Sequence, residues 1–97
     1  MLIAIFRQNF SMKKISIFAS GSGSNAQKIY DYFKNDPEIK IDSVICNNPE
    51  AKILDRAIDW GCETFLIDKK SFANTDDLAE LLKQRNTDLI VLAGFLW

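Results

Sequence analysis

The chain has 97 residues, of which 47% are hydrophobic, 12 are basic and 13 acidic, for a formal net charge of −1. That length makes one small domain or a portion of a larger one. The balanced charge speaks against the basic surface of a nucleic-acid binder, and no apolar run approaches the roughly 20 residues that cross a bilayer.

The first stretch, "MLIAIFRQNFS" at 1–11, precedes a second methionine, Met12. It lacks the order of basic start, apolar core and cleavage site that a secretory leader needs. It is expected to be a disordered N-terminal extension, with an additional edge strand from Leu2 to Phe6 as the alternative. The domain proper is then 12–97. "KISIFA" is a continuous β-prone run of the kind buried on both faces. "GSGSN" follows, and "NAQKIYDYFKN" then sets Ile29, Tyr30 and Phe33 at helical spacing, with Ser24 or Asn25 as the N-cap. Asp36-Pro37 breaks the chain, and a second strand is predicted from about Ile39 to Cys46. Asn47-Asn48-Pro49 turns into a helix, "EAKILDRAIDW", whose apolar face is Ala51, Leu54, Ala57 and Ile58, with Gly61 just past its end. "ETFLI" is a third strand. "NTDDLAELLKQRN" is a third helix, capped at Thr75 and striped by Leu78, Leu81 and Leu82, and "DLIVLAGF" is a fourth strand.

This βαβαβαβ order predicts an α/β, Rossmann-like parallel sheet with right-handed crossovers. Ligands of such sheets bind beyond the carboxyl ends of the strands, where Ser20–Asn25 and Ala93–Trp97 lie. Gly21 and Gly23 allow positive φ and close approach, and Ser24 and Asn25 open a helix whose free N–H groups favour an anion. A phosphate group fits there. The spacing Gly21-x-Gly23-x-x-Ala26 also fits a dinucleotide fingerprint, but the second strand ends in Cys46-Asn47-Asn48, without the acid that would hold a ribose. A Walker-type phosphate loop is excluded because no Gly-Lys-Ser/Thr follows. A turn that merely packs the helix on the sheet is the bland alternative.

Two absences narrow the chemistry. There is no histidine, so serine–histidine and cysteine–histidine nucleophile pairs are excluded, along with the commonest acid–base group near neutral pH. Cys46 and Cys62 have no metal-ligand spacing and read as buried, reduced thiols of a cytoplasmic protein, with no metal.

"KISIFASGSGSNAQKI", "VICNNPEAKILDRAIDWGCET" and "DLIVLAGFLW" together resemble the phosphoribosylglycinamide formyltransferase family, in family order over 12–97. The resemblance implies formyl transfer from 10-formyltetrahydrofolate to phosphoribosylglycinamide in purine biosynthesis. It implies that Gly23, Ser24 and Asn25 hold the phosphoribosyl substrate through backbone N–H groups. It places Gly94 and Phe95 beside the reaction centre, and Leu96 and Trp97 at the start of the main-chain segment lining the pterin pocket. Two arginines of the family pattern are missing: Trp97 stands at one position, and Phe72–Asp77 contains none. The family's asparagine and histidine of "N-[IV]-H-P" and its later aspartate have no counterpart, so the chain is expected to be a truncated, substrate-binding portion that is inactive alone. A non-catalytic phosphometabolite- or dinucleotide-binding module is the alternative. Because "LIVLAGFLW" stands at the end, its outer edge is expected to lack a neighbour, leaving a weakly stable chain that self-associates through that edge.

Overall fold

In the computed structural model, which describes residues 2–5, 12–68, 70 and 75–96, the chain runs β1 (Leu2–Ile5), β2 (Lys13–Ala19), α1 (Ser24–Phe33), β3 (Ile39–Cys46), α2 (Ile53–Asp59), β4 (Glu63–Leu66), α3 (Thr75–Gln84) and β5 (Leu89–Leu92). The strands form one sheet in the order β1-β5-β2-β3-β4. β5, β2, β3 and β4 are parallel, as the alternation of strand and helix predicts, and they form the Rossmann-like layer. Ile15, Phe18 and Ala19 of β2 and Val44, Ile45 and Cys46 of β3 are buried, because both faces of these central strands are covered. α1 and α2 pack on one face, where Ala26, Ile53 and Ala57 meet Ile17, Val44 and Val91. Leu82 of α3 packs on the other, against Phe18 and Ile45.

The fourth parallel strand does not present a bare outer edge. β1 pairs antiparallel with β5, with Leu2 opposite Leu92 and Ile5 opposite Leu89. Of the two readings of 1–11, the edge strand describes Leu2–Ile5; residues 1 and 6–11 lie outside the described residues. The reason is the one that made an exposed edge unfavourable: the N–H and C=O groups of β5 find a short apolar strand of the same chain.

Local details also depart from expectation. α2 starts at Ile53 rather than near Glu50, since Asn48 holds the preceding turn through Glu50 N–H to Asn48 Oδ1 (3.0 Å) and Ala51 N–H to the Asn48 carbonyl (3.1 Å). That start puts Ile53 and Ala57, one helical turn apart, on the sheet and leaves Ile58 69% exposed. α2 and α3 stop in the same way. Cys62 N–H reaches the Ala57 carbonyl (2.9 Å) and Thr87 N–H reaches that of Leu82 (3.0 Å), across Gly61 and Asn86 in left-handed conformation. β5 ends at Leu92, and the chain turns at Gly94 rather than continuing extended to Phe95.

At the amino ends of the parallel strands the polar groups pair with one another. Ser16 Oγ lies 2.8 Å from Ser43 Oγ and 3.1 Å from Thr87 Oγ1, all three buried. Arg85 Nε donates to the buried Asp42 carboxylate at 2.8 Å and Arg85 Nη1 to Glu63 at 2.9 Å, with the guanidinium 5.1 Å from the Phe65 ring centre. The hydrogen bond to Asp42 holds the Arg85 pKa above its ordinary value. Lys14 N–H donates to Asp88 Oδ2 at 2.9 Å. No described helix is long and apolar enough to cross a membrane.

Candidate functional site

At the carboxyl end of β2, residues 20–25 cross from strand to helix. Gly23 is the N-cap of α1, in left-handed conformation (φ 80°), and makes no side-chain cap; neither Ser24 nor Asn25 is the cap, because the helix already includes both. The Gly23 carbonyl accepts the first intrahelical bond, from Gln27 N–H at 2.7 Å. A Cβ on Gly23 would lie 2.5 Å from Ile53 Cδ1 and 3.0 Å from Arg56 Cδ, whereas one on Gly21 would meet nothing within 4 Å. The glycine at 23 is thus demanded by the packing of α2, and that part of the bland alternative holds. Gly21 has no positive φ and sits in open surroundings.

The loop's acceptors are turned inward and held. Ile53 N–H donates to the Gly21 carbonyl (3.1 Å), and Arg56 Nε donates to the Ser22 carbonyl (2.7 Å). Arg56 Nη1 also reaches Gln27 Oε1 (3.1 Å), which accepts from Trp60 Nε1 as well (3.3 Å). Trp60 is in turn stacked on Tyr30, centre to centre 4.4 Å. Among the described residues, no acceptor pairs with the N–H groups of 21–26, of which Gly23 and Ala26 belong to buried residues. The helix electrostatics agree. α2 carries Asp55 and α3 carries Asp76 and Asp77 in the first turn, where acids offset the helix dipole. α1 has no acid there.

A cleft of about 300 Å³ runs from this end of α1 toward β5, lined by Asn25, Lys28, Ile29, Leu92, Ala93 and Gly94. Lys28, with no ionic partner among the described residues, adds positive charge to its wall. The cleft brings Asn25 and Gly94 to one space. Ser24 and Asn25 are exposed, and Gly23 is buried beneath them. Phe95 packs edge-on against Phe18 (5.5 Å). Leu96 is exposed, but its main chain is already engaged: its N–H donates to Ser20 Oγ (2.8 Å) and its carbonyl accepts from Asn47 Nδ2 (2.6 Å). Trp97, and all of the Phe72–Asp77 stretch before Thr75, lie outside the described residues. No three metal-ligating side chains gather among the described residues.

Sequence reasoning missed Lys28, Arg56 and Asn47, and placed Ser20 in the loop without giving it a role. Lys28 was within reach, since it follows Ser24 and Asn25 at helical spacing and shares their face. Ser20 and Asn47 each follow the last residue of a parallel strand, which marks them as neighbours once the strands are paired. Arg56 carries no such mark, because its partners come from another element.

Residues 13–97 match the model of the formyl transferase family. The chain is 32% identical over 90 residues to phosphoribosylglycinamide formyltransferase of Bacillus subtilis, covering 88% of this chain and 46% of that protein. It is 37% identical over 90 residues to the Haemophilus influenzae protein of the same name, covering 88% and 42%. Among solved structures, glycinamide ribonucleotide transformylase 1 of Geobacillus kaustophilus superposes with a TM-score of 0.79 at 32% identity, over 89% of this chain and 48% of that one. The chain therefore spans about half the length of the curated relatives it matches, and its match to the family model begins at Lys13, the start of the parallel sheet.

Proposed function

The chain belongs to the formyl transferase family, and from that premise we propose that it carries the phosphoribosyl-substrate side of a phosphoribosylglycinamide formyltransferase acting in the cytoplasm. The reaction moves a formyl group from 10-formyltetrahydrofolate to the amine of phosphoribosylglycinamide. The observation that carries the reading is the set of N–H groups at 21–26 that meet no acceptor among the described residues, on a helix with no acid in its first turn. The substrate phosphate accepts hydrogen bonds from the N–H groups of Gly23, Ser24 and Asn25, each charge-assisted bond contributing about 1.5–3 kcal/mol. Lys28 adds attraction along the cleft, whose far wall at Gly94 receives the rest of the molecule. The formyl-folate lies along the segment that begins at Phe95, where the fixed Leu96 backbone and exposed Leu96 side chain offer a surface to the pterin.

This chain has no histidine, the commonest acid–base group near neutral pH. Stabilisation of the oxyanion and proton transfer from the attacking amine fall to groups outside it. Titration of the labelled chain with phosphoribosylglycinamide is expected to shift the amides of 21–26 and those around Gly94. The chain alone is expected to show no formyl transfer above background. Unmoved loop amides in a folded sample would refute the phosphate assignment, and turnover by the pure chain would refute the division of labour.

A further inference from the structure

Ser20 and Asn47 close a hydrogen-bonded ring with the main chain of Leu96. Leu96 N–H donates to Ser20 Oγ (2.8 Å), the Ser20 hydroxyl donates to Asn47 Oδ1 (2.7 Å), and Asn47 Nδ2–H donates to the Leu96 carbonyl (2.6 Å). Ser20 Oγ is also 3.0 Å from that carbonyl. A hydroxyl has one proton, so the shorter contact to Asn47 takes it, and Asn47 serves the carbonyl. Every bond then runs the same way round, and each polarises the next. The ring needs an amide at 47: the side chain must accept from a hydroxyl and donate to a carbonyl, which a carboxylate cannot do.

One side of the ring is the first residue of the anion loop; the other is the segment after β5. Ser20 N–H also meets the Gly94 carbonyl (3.3 Å). Apolar burial does little to place Leu96, whose residue is 76% exposed. The hydrophobic anchor nearby is Phe95 on Phe18. The polar ring therefore decides where the Leu96 backbone sits.

We propose that Ser20 and Asn47 are positioning residues that tie the anion loop to the 94–96 segment, so that occupancy of the loop and placement of Leu96 are linked. The linkage, though not the ring, rests on the phosphate reading of the loop. Because coupling is reciprocal, anything that frees Leu96 weakens the anion, and the anion tightens Leu96.

The test uses the 97-residue chain, amide exchange and inorganic phosphate. At neutral pH, Asn47→Asp is expected to lower the Leu96 protection factor about tenfold, the loss of a hydrogen-bonded support. Acidification protonates the new carboxyl, which can then accept from Ser20 and donate to the Leu96 carbonyl. Protection relative to the unmodified chain at the same pH should return in Asn47→Asp and not in Asn47→Ala, a rescue that general loosening would not produce. In the unmodified chain, phosphate should shift Leu96 along with the amides of 23–25, and Asn47→Asp at neutral pH should weaken that binding about fivefold. Equal Leu96 protection in all three chains would overturn the ring. A phosphate response confined to the loop, with Leu96 unmoved, would overturn the linkage. If the loop itself ignores phosphate, the phosphate reading falls and takes the linkage with it, while exchange still decides the ring.

Discussion

At the amino ends of the parallel strands the polar side chains face one another: Ser16 with Ser43 and Thr87, Arg85 with Asp42 and Glu63, Asp88 with the main chain of Lys14. At the carboxyl ends the carbonyls of Gly21 and Ser22 are held by α2, yet the N–H groups of 21–26 face no acceptor among the described residues. Both ends are polar, and the proposed anion site lies at only one of them. What separates them is completion. A set of polar groups that satisfies itself contributes stability and specifies the fold, whereas donors left without an acceptor at a helix start suit the anion proposed above.

The largest expected effect breaks the open end. Gly23→Val adds a branched side chain to a left-handed residue whose Cβ would lie 2.5 Å from Ile53 Cδ1. It should cost about 2–5 kcal/mol in urea unfolding, from strain and overpacking together. Gly21→Ala, with nothing within 4 Å, should stay within about 1 kcal/mol of the unmodified chain. Equal losses at the two glycines would mean that α2 does not set the loop.

A smaller effect is expected at the closed end. Arg85→Leu removes the main partner of the buried Asp42, leaving Lys40 at 3.8 Å and largely exposed. The loss should be about 1–3 kcal/mol, reduced from a fully buried pair because Arg85 keeps some solvent contact. Phosphate shifts in the loop should be unchanged. A loop response altered as much as stability would erase the distinction between the ends.

The smallest effect concerns Cys62, near the closed end. Burial first, and the Asp42 carboxylate next, push its thiol from an ordinary 9.0 up to about 11. The neutral thiol is thus favoured in the folded chain. Its contribution to stability is complete below about pH 9, and is lost as pH rises from there through about 11. Alkylation of folded Cys62 should follow the higher midpoint, and a thiol titrating near its ordinary value would show that the end is open to water.

Much of this was legible in the residues. The apolar runs at Ile15–Ala19 and Val44–Cys46 marked buried strands, the spacing of Leu78 and Leu82 marked α3, and "GSGSN" marked the turn between β2 and α1. Each of these signals is local, because strand burial, helical periodicity and the backbone freedom of glycine act within a few residues of one another. The sequence could not say why Gly23 must be glycine, since Ile53 and Arg56 reach it from another helix. Nor could it choose between disorder and an edge strand for Leu2–Ile5, which pairs with β5 from the opposite end of the chain. Ser20, Asn47 and Leu96 were read as the start of a loop, part of a turn and a pterin contact, and only folding made them one ring. Such contacts depend on which strand ends lie side by side and on which helix covers which loop. That is fixed by the burial of the whole sheet, so the chain by itself determined its elements and the glycine turn between β2 and α1, while the tertiary structure decided which polar groups were paired and which were left over.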